Sequence, residues 1–181
     1  MIMAVDLLKP KKNKMLRFVL IFGLSMIFWF IAYELYLKQL SIPDKYLTKA
    51  LSQHVCMITE WTGKTCSYTD ANKPGETYIF IEPLLRQTIR IGNSCNGLEI
   101  YIIFVLFIIA YPGRWQYKFP YIFGGLTIIY SINVLRTYWL TMMAYYKYPH
   151  YDIFHRYVFI VLVYGLVFSL WMIWANKYSN K

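Results

Sequence analysis

The sequence predicts an all-α polytopic membrane protein with about four transmembrane helices and one long extracytoplasmic loop, which carries an amphipathic helix and a small β-hairpin. Three observations predict it. The 181-residue chain is 58% hydrophobic and only 15% charged, a balance too apolar for a soluble domain of this length. Its apolar residues fall in four long runs. Its positive charges, which give a formal net charge of +10, collect at the ends of those runs, where they set topology and meet anionic lipid. They form no stripe with interleaved aromatics on a soluble module, so nucleic acid is not an expected partner. The aromatic share, 20%, fits interfacial belts and helix packing.

The first run, 15–36, follows Lys9, Lys11, Lys12 and Lys14 and meets the ~20 residues that a spanning helix needs. It is too long for a signal peptide, and no small-residue cleavage site follows in FIAYELYLKQL, so it reads as an uncleaved anchor. The second run, 97–112, ends at Pro112-Gly113. It is short for a span and calls on flanking residues or a thinned bilayer. The third, 120–146, is interrupted by Arg136, and the fourth covers 153–174. Charge orients them. The N-terminal lysines, the PGRWQYK loop with Arg114 and Lys118, and the tail with Lys177 and Lys181 are all basic and belong inside. Both termini are then cytoplasmic, and the stretch 38–94 lies outside. Residues 1–181 read as a single membrane-embedded domain without repeats.

Within the outer loop, Leu47, Leu51, Val55, Ile58 and Trp61 recur at helical spacing across 46–61. They predict an amphipathic helix lying on the outer leaflet. Gly63 follows as a stop signal. Residues 77–82 and 87–91 read as short strands around Pro83, a hairpin leading to Cys95.

Three reactive side chains are carried to the outer end of this bundle. Cys95 stands in GNSCNGLEI, where Asn96 and Glu99 have the spacing of a capping box. That puts Cys95 just before a helix N-terminus, whose unpaired N–H groups favour a thiolate and offer an oxyanion hole. Gly97 allows a substrate backbone to come close. Cys56 and Cys66 either pair and leave Cys95 as the odd thiol, or Cys56 is apolar filling on its helix. Arg136 lies inside the third span, where a guanidinium costs about 2.5–3.5 kcal/mol on insertion scales and so faces the bundle interior. Glu99 is its obvious ion-pair partner. Asn133, one turn earlier on the same face, can hydrogen-bond the arginine or a substrate carbonyl. His155 opens the fourth span beside Arg156 and is the best general acid or base, with an ordinary pKa of ~6.5. His150 is a weaker candidate, and Asp152 either orients His155 or caps its helix. The His and Cys residues lack ligand spacing, so neither a metal nor a cofactor is expected.

At these segments the chain resembles the exosortase/archaeosortase family of membrane cysteine transpeptidases. The Cys-x-Gly element is Cys95-Asn96-Gly97, the Asn-x-x-Arg element is Asn133-Val134-Leu135-Arg136, and the His or Arg opening the next span is His155, with Arg156 beside it. The similarity covers roughly 46–174. It is that of a short bacterial form, which keeps little beyond the three motifs. The resemblance implies a thioester acyl-enzyme on Cys95, oxyanion or thiolate stabilisation by Arg136, and proton transfer by His155, at the outer face of the bacterial cytoplasmic membrane. It implies substrates that are secreted proteins with a C-terminal sorting signal (a short motif, a transmembrane tail and a basic cluster) and an acceptor that is a lipid or a glycan. A different class of function competes with this one: a non-catalytic transport or assembly subunit in which Arg136 and Glu99 form a structural ion pair.

Overall fold

The computed structural model describes residues 10–83 and 87–178; Lys9 and Lys181, used above for orientation, lie outside the described residues. Helix α1 (Pro10–Ala32) is carried on by a π-helical turn (Tyr33–Leu37) and a last turn (Lys38–Leu40). Ser41 then takes a left-handed conformation, φ 49°. The break has a local cause, since Pro43 has no N–H with which to continue the ladder and sits instead in the first turn of α2 (Ile42–Trp61).

Helix α2 buries Thr48, Leu51, Ser52, Val55, Cys56 and Thr59, a stripe at helical spacing. The hydroxyls in that stripe bond back to carbonyls four residues earlier, Ser52 to Thr48 at 2.9 Å and Thr59 to Val55 at 2.8 Å, so they enter an apolar contact already satisfied. The stripe packs on a sheet and on α4 rather than lying on a leaflet, and Trp61, expected on the apolar face, is 81% exposed. The sheet corrects the expected hairpin. It has three antiparallel strands in the order β1 (Cys66–Asp70), β2 (Thr77–Ile81), β3 (Gln87–Ile91). The first strand, CSYTD, has little apolar alternation and so leaves no period-two signal in the sequence. The core face is set by register: Cys66 opposite Ile81 and Ile79 opposite Ile89. A Cys56–Cys66 disulfide, Cα–Cα 5.2 Å, ties α2 to β1.

Two long helices and one short one follow. Helix α3 (Leu98–Ala110) is 13 residues, and α4 (Trp115–Tyr145) is 31. Pro120 falls inside α4 rather than at its start, so Gln116 loses its helical partner close to the helix end. Where α3 and α4 cross at Gly125, any Cβ would collide with the Phe104 ring. Lys118, 4% exposed, donates from Nζ to the Ile109 carbonyl at 2.7 Å and caps the end of α3. Helix α5 (Tyr151–Tyr178) buries Val163, Val167, Leu170 and Trp174, the last three in one core with residues of α3 and α4. Its other sides are apolar too, with Val161, Phe168 and Ile173 exposed. Lys14–Leu40 and Tyr151–Tyr178 are the two helices long and apolar enough to cross a membrane among the described residues. Their outward apolar surface suits hydrocarbon and not water.

The bundle has a measurable depth. Trp174 meets Gly113 in the α3–α4 turn at one end, and His155 meets Cys95 at the other. Between them α5 rises about 28 Å at ~1.5 Å per residue. From Trp115 to Asn133, α4 covers about the same distance, and it then continues about 18 Å further beside the sheet and α2. The described residues therefore form two cores. One is α2, the sheet and the C-terminal part of α4, here its outer part, and the other is α3, α5 and the N-terminal part of α4, its inner part, with the words taken relative to the cleft end of the bundle; Tyr130 touches both.

Candidate functional site

Cys95 ends a short 3-10 turn (Asn93–Cys95) between β3 and α3, held by a bond from its own N–H to the Gly92 carbonyl at 2.9 Å. Gly97 follows in a left-handed conformation, φ 83°, and is the residue at the N-cap of α3. A Cβ at Gly97 would lie 3.0 Å from the Tyr101 hydroxyl and 3.1 Å from Asn133 Nδ2, so both backbone and space require glycine there.

Asn96 and Glu99 do not form the expected capping box. Asn96, 1% exposed, accepts the Leu98 N–H on Oδ1 at 2.9 Å, one residue earlier than a box would place it. Its Nδ2 donates to Asp44 Oδ1 at 2.7 Å, and the Tyr33 hydroxyl donates to Asp44 Oδ2 at 3.0 Å. Asp44 is 1% exposed, and its two carboxylate oxygens each hold one donor. From the other side, Asn133 Nδ2 reaches the carbonyls of Asn96 at 3.1 Å and Cys95 at 3.3 Å. The turn that carries the thiol is thus clamped between a buried carboxylate from α2 and a buried carboxamide from α4. Asn133 serves the backbone of that turn rather than Arg136.

His155 lies on α5 with Nε2 3.9 Å from Cys95 Sγ. Tyr151, one turn earlier, stacks on its ring with centroids 5.8 Å apart and an 8° tilt, which fixes the imidazole plane. Arg136, Asp152 and Arg156 are all within electrostatic reach of His155. Arg136 comes from α4, one turn beyond Asn133, and its Nε is buried without a hydrogen-bond partner. Cys95, Arg136 and His155 line one cleft of about 290 Å³, together with Gly97, Glu99 and Arg156. Among the described residues no ion pair joins Arg136 to Glu99; Glu99 is exposed at the cleft wall facing Tyr33 of α1. Toward the far end of α5 a second, apolar groove lies between α3 and α5, lined by Ile103, Phe168 and Trp171 and sharing Ile100 and Tyr164 with the cleft.

Sequence reasoning missed Asp44, Tyr33 and Tyr151. Asp44 follows Pro43 and reads as an ordinary helix-start acid, and Tyr33 is one aromatic among eighteen tyrosines. Only the four-residue spacing of Tyr151 and His155, which puts them on one helix face, could have signalled a pair.

This set of groups has the parts for acyl transfer. There is a thiol, an imidazole that can take and return its proton, and a cation with an unsatisfied donor in the same cleft. A family model described as transmembrane exosortase matches residues 7–176 of the chain. No curated protein and no solved structure matches.

Proposed function

Because the chain belongs to the transmembrane exosortase family, a family of membrane proteins that act on C-terminal sorting signals, we propose that it is a cysteine transpeptidase or protease that processes such signals on secreted proteins at the outer face of the bacterial cytoplasmic membrane. The observation that carries the reading is the 3.9 Å approach of His155 Nε2 to Cys95 Sγ on the wall of a cleft that Arg136 also lines.

The residues take these roles. His155 accepts the thiol proton as Cys95 Sγ attacks the scissile carbonyl carbon. The Arg136 guanidinium, whose Nε has no partner in the cleft, stabilises the oxyanion. The C–N bond breaks, and His155 returns the proton to the leaving amine, which departs on the membrane tail. The thioester on Cys95 is then attacked by an acceptor hydroxyl or amine, or by water, with His155 as base. The carbonyl passes to the acceptor and the thiol is restored. The Leu98 N–H is already committed to Asn96, and Arg136 is the charged oxyanion donor beside Cys95 in the cleft. Arg156 and Glu99, on the same cleft wall, set the local charge.

The whole chain acts as one membrane-embedded domain with four crossing segments: α1, α3 with its flanking turns, the inner part of α4, and α5. The ~28 Å between the Gly113–Trp174 contact and the His155–Cys95 contact is close to the ~30 Å of a hydrocarbon core. Arg136 therefore stands at the outer boundary and escapes the insertion cost of a mid-membrane arginine. The part of α4 beyond it belongs to the outer layer with α2 and the sheet. The Cys56–Cys66 disulfide supports an oxidising compartment for that layer. The groove between α3 and α5 leads the substrate's transmembrane tail to the thiol.

Acid-quenched membranes test the chemistry. With a secreted protein bearing a sorting signal as probe, a polypeptide adduct is expected on the Cys95 peptide and is released by neutral hydroxylamine. Tail cleavage at the native rate by Cys95→Ala membranes would contradict the reading.

A further inference from the structure

Cys95 and His155 are open from two sides. Besides the cleft shared with Arg136, they line a second, larger one of about 640 Å³, whose other walls are Glu76, Thr88, Ile89, Arg90, Ala144 and Tyr151. The first cleft leads into the apolar groove between helices, while this one lies at the sheet and the outer end of α4, away from the lipid-facing surfaces.

Its position on β3 is informative. Side chains alternate between the faces of a strand. Ile89 packs against the core face, while Arg90 on the other face leaves 51% of its side chain exposed and pairs with Glu76 at 3.5 Å. Ile89 and Arg90, consecutive and regularly paired, border one cleft together, as they do where the cleft runs along the edge of the strand, and Thr88 beside them is a bulge that the pairing skips. Among the described residues β3 is an edge strand, paired with β2 on one side alone. Its outer edge presents N–H and C=O groups to the cleft. The strand then runs straight into the Gly92–Cys95 turn, so anything paired to that edge ends at the sulfur.

We propose that this cleft is the binding site for the extended stretch of the substrate polypeptide next to the scissile bond, which adds to the sheet as a fourth strand along β3 and so delivers its carbonyl to Cys95. The inference rests on the transpeptidase reading and divides the substrate between two sites: motif on the sheet edge, tail helix in the groove between α3 and α5. An added strand supplies main-chain hydrogen bonds for affinity and uses alternate side chains for specificity. From Thr88 to Gly92 the edge is about 13 Å long at ~3.3 Å per residue, so the recognised stretch is about four residues.

The variant Ala144→Trp, which fills the cleft from α4, tests this in membranes of the producing cell. Two thiol reagents report access to Cys95: water-borne sulfonatoethyl methanethiosulfonate, and lipophilic N-cyclohexylmaleimide arriving through the groove. The expected result is at least tenfold slower reaction with the first, an unchanged rate with the second, and substrates that keep their C-terminal tails as fully as in Cys95→Ala. Normal tail removal in Ala144→Trp, with the polar reagent slowed, would overturn the strand-addition site while leaving the transpeptidase reading intact. Tails unchanged by Cys95→Ala itself would overturn that reading instead. If the tryptophan also abolishes maleimide labelling, the fold is disturbed, and Ala144→Leu decides by the same two readouts.

Discussion

Exchanging Asp44 with Asn96 tests whether the nucleophile turn is held by one specific buried bond. Asp44 accepts from Asn96 Nδ2 at 2.7 Å and from the Tyr33 hydroxyl at 3.0 Å, with both Asp44 and Asn96 1% exposed. Hydrogen bonds to a charged group contribute about 1.5–3 kcal/mol each, so Asp44→Ala stands to lose about 3–6 kcal/mol. That is comparable with the whole stability of many domains, about 5–15 kcal/mol, and reports little beyond damage. Isosteric changes are more informative. Asp44→Asn keeps the shape and loses the charge, for an expected loss of about 1.5–3 kcal/mol. Asn96→Asp sets two buried carboxylates against each other at the same spacing and should cost at least as much. The double exchange restores the pair with the roles reversed. The carboxamide at position 44 donates to the carboxylate at 96, whose second oxygen still accepts the Leu98 N–H. Thermal midpoints in detergent, read beside the rate at which iodoacetamide labels Cys95, measure the coupling. Each single variant should lose stability and alter the labelling rate, and the double variant should recover both, with a coupling of about 2 kcal/mol. A double variant no better than the sum of the singles would refute the reasoning.

Gly97→Ala must hold a φ of 83° and bring a methyl to 3.0 Å from the Tyr101 hydroxyl and 3.1 Å from Asn133. It should cost at least about 1–2 kcal/mol from backbone strain alone and cut tail processing more than tenfold, measured on substrate released per unit of membrane-bound chain. Asn133→Ala removes the donor to two carbonyls of the Cys95 turn. A loss of about 1–3 kcal/mol is expected, with a lower rate of Cys95 acylation rather than weaker substrate binding, separable as kcat against KM. Cys56→Ser with Cys66→Ser opens a short loop and should lower stability by about 2–3 kcal/mol while retaining processing. In the native chain only one of the three cysteines should alkylate before reduction.

The apolar helices were legible because hydropathy acts over some twenty residues and survives any packing arrangement. The groups that meet at the cleft were legible because each is chemically unusual where it stands: a thiol before a helix, an arginine among apolar residues, a histidine at a span's start. What supports them was not. Asp44 and Asn96 are 52 positions apart, and their bond depends on how α2 lies against α3, which no local pattern encodes. The setting of Arg136 is a related case. Counting back from the end of the third apolar run puts it well inside the membrane. In the structure the part of α4 beyond Arg136 packs on β3 and α2, and Thr141 and Met142 there are buried. The amphipathic helix was legible as a helix and not in its partner, since a stripe that suits a leaflet also suits a sheet. Its threonines and serine, hydrogen-bonded to their own helix, were the sign of protein contact.

The most direct test of the central claim compares the C-termini of secreted and surface proteins, by mass spectrometry, in cells carrying the native chain or Cys95→Ala at equal membrane abundance. The account predicts a set of proteins that keep their C-terminal membrane helix only with Cys95→Ala. Identical C-termini in both, with proteins bearing such helices expressed, would contradict it.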